Sequence, residues 1–396
     1  MNFSVKKAVV LSVASLALFT SCNRNDDPVN PNQEVKDYKF ERNGASSVSF
    51  GGQHMRIDMH SQVKAYAGSA KSTDITADYL MKLVQNQDNP FVMDGAFYNA
   101  SDLNGTTKQI WNKVSASATM SGQQAQVQTY FQGLFNDLEY LSSQRGATAS
   151  NGVAGMYGNR LVDAQGIETV QLMSKSLMGA FELDQIINHY LSDDKLNVDN
   201  DQIPQGKNYT AMEHHWDEAF GYTGLPADSN VDITSGDNKS KYKRFWSGYI
   251  SAVDGSVAGA GIKKDIYNAF IKGRQAIVDK DYAERDKQRD KIVKLMEKVC
   301  FIRCAHYLRE GADVLENPNA TMEQKASAFH EIAEGLGFLY SIDFTPKGQA
   351  LPANHKGSFY VQMIRQMGLY SPGIAQALKM GANKMAEIGG FNLQDA

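Results

Sequence analysis

The chain has 396 residues, 42% of them hydrophobic and 21% charged, with a formal net charge of −4. Charges of both signs are mixed and no basic stripe is present, so nucleic acid is excluded as a partner, and the acidic excess is too small to imply a cationic one. Enough chain is present for a large core or two domains.

Residues 1–21 read as a lipoprotein signal peptide. Lys6 and Lys7 form its positive start, Ala8 to Phe19 its apolar run, and Thr20-Ser21 place small residues directly before Cys22. The run is too short to cross a bilayer core of about 30 Å. Cys22 is the expected lipidation site, where several acyl chains anchor stably. Residues 22–37 are polar and Pro-interrupted, as in a flexible tether. Their early acidic residues resemble the surface-export signal of some Gram-negative lipoproteins, which implies an outer-membrane lipoprotein, periplasmic or surface-exposed.

Residues 38–225 are expected to form a first helical bundle unit. Tyr38, Phe40, Val48 and Phe50 around Asn43-Gly44 predict a short hairpin or extended strap. Helical periodicity then predicts helices over about 54–68, 73–87, 105–116, 121–145 and 165–193. Gly152 to Gly158 reads as a flexible connector; without a Lys-Ser/Thr ending it is no phosphate loop. Thr210 followed by Glu213 has capping-box spacing and starts a further helix. Residues 226–260 are a connecting region, carrying a short helix over Tyr242–Ala252. A second unit, 261–396, has helices over about 262–279, 286–315, 321–341, 356–369 and 373–388. Cys300 and Cys304, at i and i+4 on one helix face, are poorly placed for a disulfide and read as buried thiols. The fold class is all-α, duplicated helical bundles with a short extended N-terminal segment.

Duplication is visible in the residues. His214-His215-Trp216-Asp217-Glu218-Ala219-Phe220-Gly221-Tyr222 aligns with His330-Glu331-Ile332-Ala333-Glu334-Gly335-Leu336-Gly337-Phe338. His189-Tyr190-Leu191 and His306-Tyr307-Leu308 precede the two copies at nearly equal distances, near the expected ends of their helices. Each copy carries a His and a Glu four residues apart, hence on one helix face. Imidazole with carboxylate inside a bundle is a donor set for iron, zinc or manganese. His214, His215, Glu218, His330 and Glu334 are therefore the candidate metal ligands, with Glu182 and Asp184 available to complete the first site. Two other readings stay open. The pairs can be structural polar contacts that fix helix register. Alternatively, His330-Glu331-Ile332-Ala333-Glu334 approaches the His-Glu-x-x-His pattern of zinc peptidases, with Glu in the final place. No serine elbow or Cys-His pairing supports a nucleophilic enzyme.

Tyr38 to Phe50, Leu177-Met178-Gly179-Ala180 with Asp184-Gln185-Ile186, and Glu213 to Gly224 resemble a family of Gram-negative lipoproteins defined by a domain of unknown function (4856). That family is similar in style to the imelysin-like proteins. The resemblance implies two four-helix bundles arisen by duplication and an association with iron acquisition, beside an older metallopeptidase assignment. The imelysin-like motif Gly-x-His-x-x-Glu carries onto His215 and Glu218, with Glu213 standing where the motif has Gly. Repeat alignment instead selects His214; Glu218 is common to both. The expected function is a lipid-anchored extracytoplasmic protein that binds iron (zinc being possible with the same donors), as ion or chelate, beside a TonB-type transporter.

Overall fold

The Asn43-Gly44 turn takes the left-handed backbone of a tight hairpin, φ 53° and 77°. It joins β1 (Glu41–Arg42) to β2 (Ala45–Ser46), as the sequence predicts. The computed structural model describes residues 37–396, so the signal peptide, Cys22 and the tether up to residue 36 lie outside the described residues. Val35–Ala396 forms one compact unit.

Helices α1 (Gly51–Ser69), α2 (Ala77–Gln85), α3 (Ala100–Asn104) and α4 (Gln124–Ser143) follow the hairpin. After β3 (Gly155–Tyr157) and β4 (Arg160–Val162) comes α5 (Thr169–Leu177), which continues as a π-helical stretch over Met178–Tyr190. Next are α6 (Asp193–Leu196), α7 (Ala211–Tyr222), α8 (Gly236–Tyr242), α9 (Phe245–Asp254) and α10 (Ile262–Val278). The chain ends with α11 (Tyr282–Glu316), α12 (Met322–Ile342), α13 (Pro346–Ala350), α14 (Gly357–Met367) and α15 (Ile374–Gly389). The two short hairpins are the only sheets among the described residues, so the protein is all-α.

Two local expectations are corrected. Residues 105–116 form no helix beyond a turn of 3-10 helix at Trp111–Lys113. Ser115 adopts φ 51° and its N–H donates to Ala180 O, which ends helical hydrogen bonding there. The glycine-rich connector is ordered instead: Gly158, at φ 59°, turns β3 back onto β4.

A buried ionic network fastens the N-terminal strap. The Arg274 guanidinium, fully buried, donates to Glu213 Oε1 at 2.8 Å and Asp217 Oδ1 at 3.0 Å. Arg42 holds Glu213 from the strap with two bonds, and the Tyr38 hydroxyl donates to Asp217 at 2.7 Å. Glu213 also closes the capping box with Thr210 that the sequence predicts. Trp216 and Trp246 fill the core, their indole N–H groups donating to Phe270 O and Met178 O. Cys300 and Cys304 are free, buried thiols.

Glycines permit the closest helix crossings. A Cβ on Gly221 of α7 would meet Phe50 Cβ at 2.5 Å and Gln53 Cβ at 3.1 Å, on and beside α1. A Cβ on Gly337 of α12 would meet Lys175 Cβ at 2.3 Å on α5. The two glycines occupy the same place in the aligned copies, three residues after Glu218 and Glu334. Thus α7 crosses α1 as α12 crosses α5.

Candidate functional site

The first His–Glu pair lies on α7. His214 Nδ1 is 3.0 Å from Ser49 O, which fixes a proton on that nitrogen, so in the neutral ring Nε2 carries the lone pair. Nε2 faces Glu218 Oε2 at 3.8 Å, beyond hydrogen-bond range. Gln53 donates to the other Glu218 oxygen at 2.8 Å, and the charge of this carboxylate is felt by the nearby Tyr190 hydroxyl. Tyr209 stacks on the His214 ring, with centroids 4.5 Å apart. His214 keeps 30% and Glu218 16% of side-chain exposure, so solutes reach both.

His215 turns to another side of α7. Its Nδ1 lies 2.7 Å from Lys195 O, and burial lowers its pKa. The geometry therefore pairs Glu218 with His214, as the repeat alignment selects, and leaves His215 apart. Glu213, at the place of the motif's Gly, is committed to Arg42, Arg274 and the capping box.

The second pair repeats the first and then departs from it. His330 Nε2 faces Glu334 Oε1 at 3.6 Å, the Tyr249 hydroxyl donates to Glu334 Oε2 at 3.4 Å, and Tyr307 lies near Glu334 as Tyr190 lies near Glu218. His330 Nδ1 lies 2.7 Å from Glu168 Oε2 and 2.9 Å from Arg160 Nη1. Nδ1 serves only one of these groups, and the carboxylate is the partner that accepts its proton. The departure is Lys175, whose ammonium sits 2.8 Å from Glu334 Oε1. Burial raises the Glu334 carboxyl, but the Lys175 charge more than offsets it and holds the pKa at about 2. Gln53 contacts Glu218 where Lys175 contacts Glu334, so a neutral amide at the first copy is answered by a cation at the second.

Tested as a donor set, the first pair fits a metal ion: an imidazole nitrogen oriented by a backbone carbonyl, and a carboxylate. The second fits poorly, because Lys175 already occupies the carboxylate. The pairs do not converge, and among the described residues no group of three or more His, Cys, Asp or Glu is placed to hold a metal.

Glu182 and Asp184 do not complete the first site. Glu182 lies 2.8 Å from His60 Nδ1, both side chains fully buried. Burial pushes the Glu182 carboxyl well up and the His60 imidazole well down, so the pair is neutral rather than ionic. Asp184 accepts from Ser117 and Asn188. His306 is likewise displaced from expectation. It lies ten residues before the end of α11, and its Nδ1 faces the carbonyl of Ala396 at 3.3 Å.

The sequence reading missed Gln53, Ser49 and Tyr249 as partners, and Lys175 above all. Lys175 carried a signal, an ammonium inside the apolar run Leu172 to Leu183, where a cation needs a buried partner.

The model of a family described as a domain of unknown function (DUF4856) matches residues 35–387, and the chain belongs to that family. No curated protein and no solved structure matches it.

Proposed function

We propose that this member of the DUF4856 family is a lipid-anchored, extracytoplasmic protein that binds iron through His214 and Glu218. The observation that carries the reading is the geometry of that pair. Nδ1 is held by Ser49 O, and Nε2 looks across 3.8 Å at a solvent-reachable carboxylate. That gap is too wide for a hydrogen bond and within the span of two metal–ligand bonds of about 2 Å each. Two protein donors leave the other coordination positions to water or to a chelator, which suits capture of iron as the ion or within a chelate. Zinc accepts the same donors. Anchoring through Cys22 in the outer membrane, beside a TonB-type transporter that takes the iron onward, completes the proposal.

A structural reading is favoured for the second copy alone, where Lys175 ties Glu334 into the core. Anaerobic titration of iron(II) into the mature protein separates the two. Wild type is expected to bind at micromolar iron, with affinity reduced about tenfold or more by His214→Ala or Glu218→Gln. Glu334→Gln leaves that affinity unchanged. Absence of binding, or binding indifferent to both first-copy variants, refutes the proposal. Anchoring is tested by Cys22→Ser, which abolishes detergent partitioning; unchanged partitioning with no acyl mass on the mature terminus overturns it.

A further inference from the structure

Between α1, α9 and α11 lies a cavity of about 600 Å³, a size typical of small-molecule sites. Lys64, Lys175, Lys243, Arg244 and Arg303 all line it. Five cations around one recess run against a chain of net charge −4. Two of them are neutralised, Lys175 by Glu334 at 2.8 Å and, more loosely, Arg244 by Asp58 at 3.7 Å. Lys64, Lys243 and Arg303 form no ion pair among the described residues.

Two of the unpaired cations, Arg303 and Lys64, are held where they are. Arg303 lies over the Tyr307 ring at 4.1 Å and the Tyr249 ring at 5.7 Å, and its Nε is buried without a hydrogen-bond partner. Lys64 is packed against Lys175, and that neighbouring ammonium is the main cause that lowers its pKa to about 8. Like charges pressed together at the edge of a cavity are unfavourable in the empty protein, and a bound anion offsets them. Phe245 adds an apolar wall and does so from a left-handed backbone, φ 41°, which a phenylalanine rarely adopts.

We propose that this cavity binds a small organic oxyanion carrying two or more negative charges, a polycarboxylate or an organic phosphate. Arg303 supplies a planar fork for one oxyanion group, and Lys64 with Lys243 supplies point charges for another. Tyr249, Tyr307 and Phe245 cover the ligand's apolar body. Glu334 stays with Lys175 behind the cavity and repels the anion from that side. The proposal does not rest on the iron reading, since neither His214 nor Glu218 lines the cavity.

The test is calorimetric titration of the full mature protein with citrate and, separately, with pyrophosphate at low ionic strength. Binding of citrate alone assigns a polycarboxylate, and binding of pyrophosphate alone or of both assigns the broader oxyanion class; each supports the site. Arg303→Met and Lys64→Met are each expected to weaken binding about tenfold or more. Lys243→Ala, at the exposed rim, weakens it less and carries the test if the other variants misfold. Glu334→Gln is expected to strengthen binding while destabilising the protein, opposite to the effect of general damage. Failure of folded wild type to bind either probe at millimolar concentration overturns the proposal. So does affinity unchanged by Lys64→Met, Arg303→Met and Lys243→Ala.

Discussion

Replacing Lys175 with methionine keeps the length of the side chain and deletes its charge. In the wild type, burial raises the Glu334 carboxyl, but the Lys175 ammonium 2.8 Å away draws it from an ordinary 4.5 down to about 2. That difference corresponds to about 3 kcal/mol of native-state stabilisation. Removing one member of a buried pair costs about 3–5 kcal/mol, because the other charge is left uncompensated. Lys175→Met also relieves Lys64, which places the expected loss at the lower end, about 3 kcal/mol at pH 7. The carboxyl is depressed in the folded state, so its contribution is fully present above about pH 4.5 and is lost as pH falls toward 2. The gap between wild type and variant should therefore close over the same window. Urea denaturation followed by near-ultraviolet circular dichroism, at pH 7 and at steps down to pH 3, measures it. A variant within about 1 kcal/mol of wild type at pH 7, the worth of an exposed pair, refutes the reasoning. A gap that does not narrow on acidification refutes it equally.

Glu182→Gln should cost less than about 1.5 kcal/mol, since the pair with His60 is neutral and the substitution keeps its shape; a thermal shift as large as that of Lys175→Met would show an ionised pair instead. Gly337→Ala places a Cβ 2.3 Å from Lys175 Cβ, and forcing α12 away from α5 should cost about 1–3 kcal/mol in the same denaturation assay. Cys300 and Cys304 are buried and burial raises both thiols, so neither should react with a thiol reagent until the protein is unfolded. Anion binding in the cavity should weaken as pH rises through about 8, where Lys64 loses its proton. The titratable and charged groups around Lys64 are Lys175, Glu334, Glu168, His60, Lys71, Arg160, Lys243, Arg244 and Arg303, and a flat profile from pH 7 to 9.5 would remove Lys64 from the site.

Local signals carried the helices well. The 3-4 apolar spacing of residues 121–145 corresponds to α4, and the Thr210–Glu213 capping box closes as its spacing predicts. The repeated Gly after each Glu is visible in one dimension, and the packing supplies its reason: α7 and α12 each need a bare backbone where they cross another helix. What failed was the identity of the partners, because contacts such as Glu334 with Lys175 join residues far apart in sequence. The helix expected over 165–193 is α5 with its π-helical extension, but its place between the two pairs was not legible. Lys175 near its start pairs with Glu334, and Tyr190 at its end lies near Glu218. No periodicity assigns one helix to both copies of a repeat. The choice between His214 and His215 was open for a similar reason: they are adjacent, and only Ser49 and Lys195, each from another segment, separate their roles.

The most direct test of the central claim is anomalous diffraction at the iron absorption edge, from crystals of the mature protein equilibrated anaerobically with iron(II). An anomalous peak is expected at bonding distance from both His214 Nε2 and Glu218, and is absent from crystals of Glu218→Gln. A peak at His330 and Glu334 instead, or iron bound at neither pair, would contradict it.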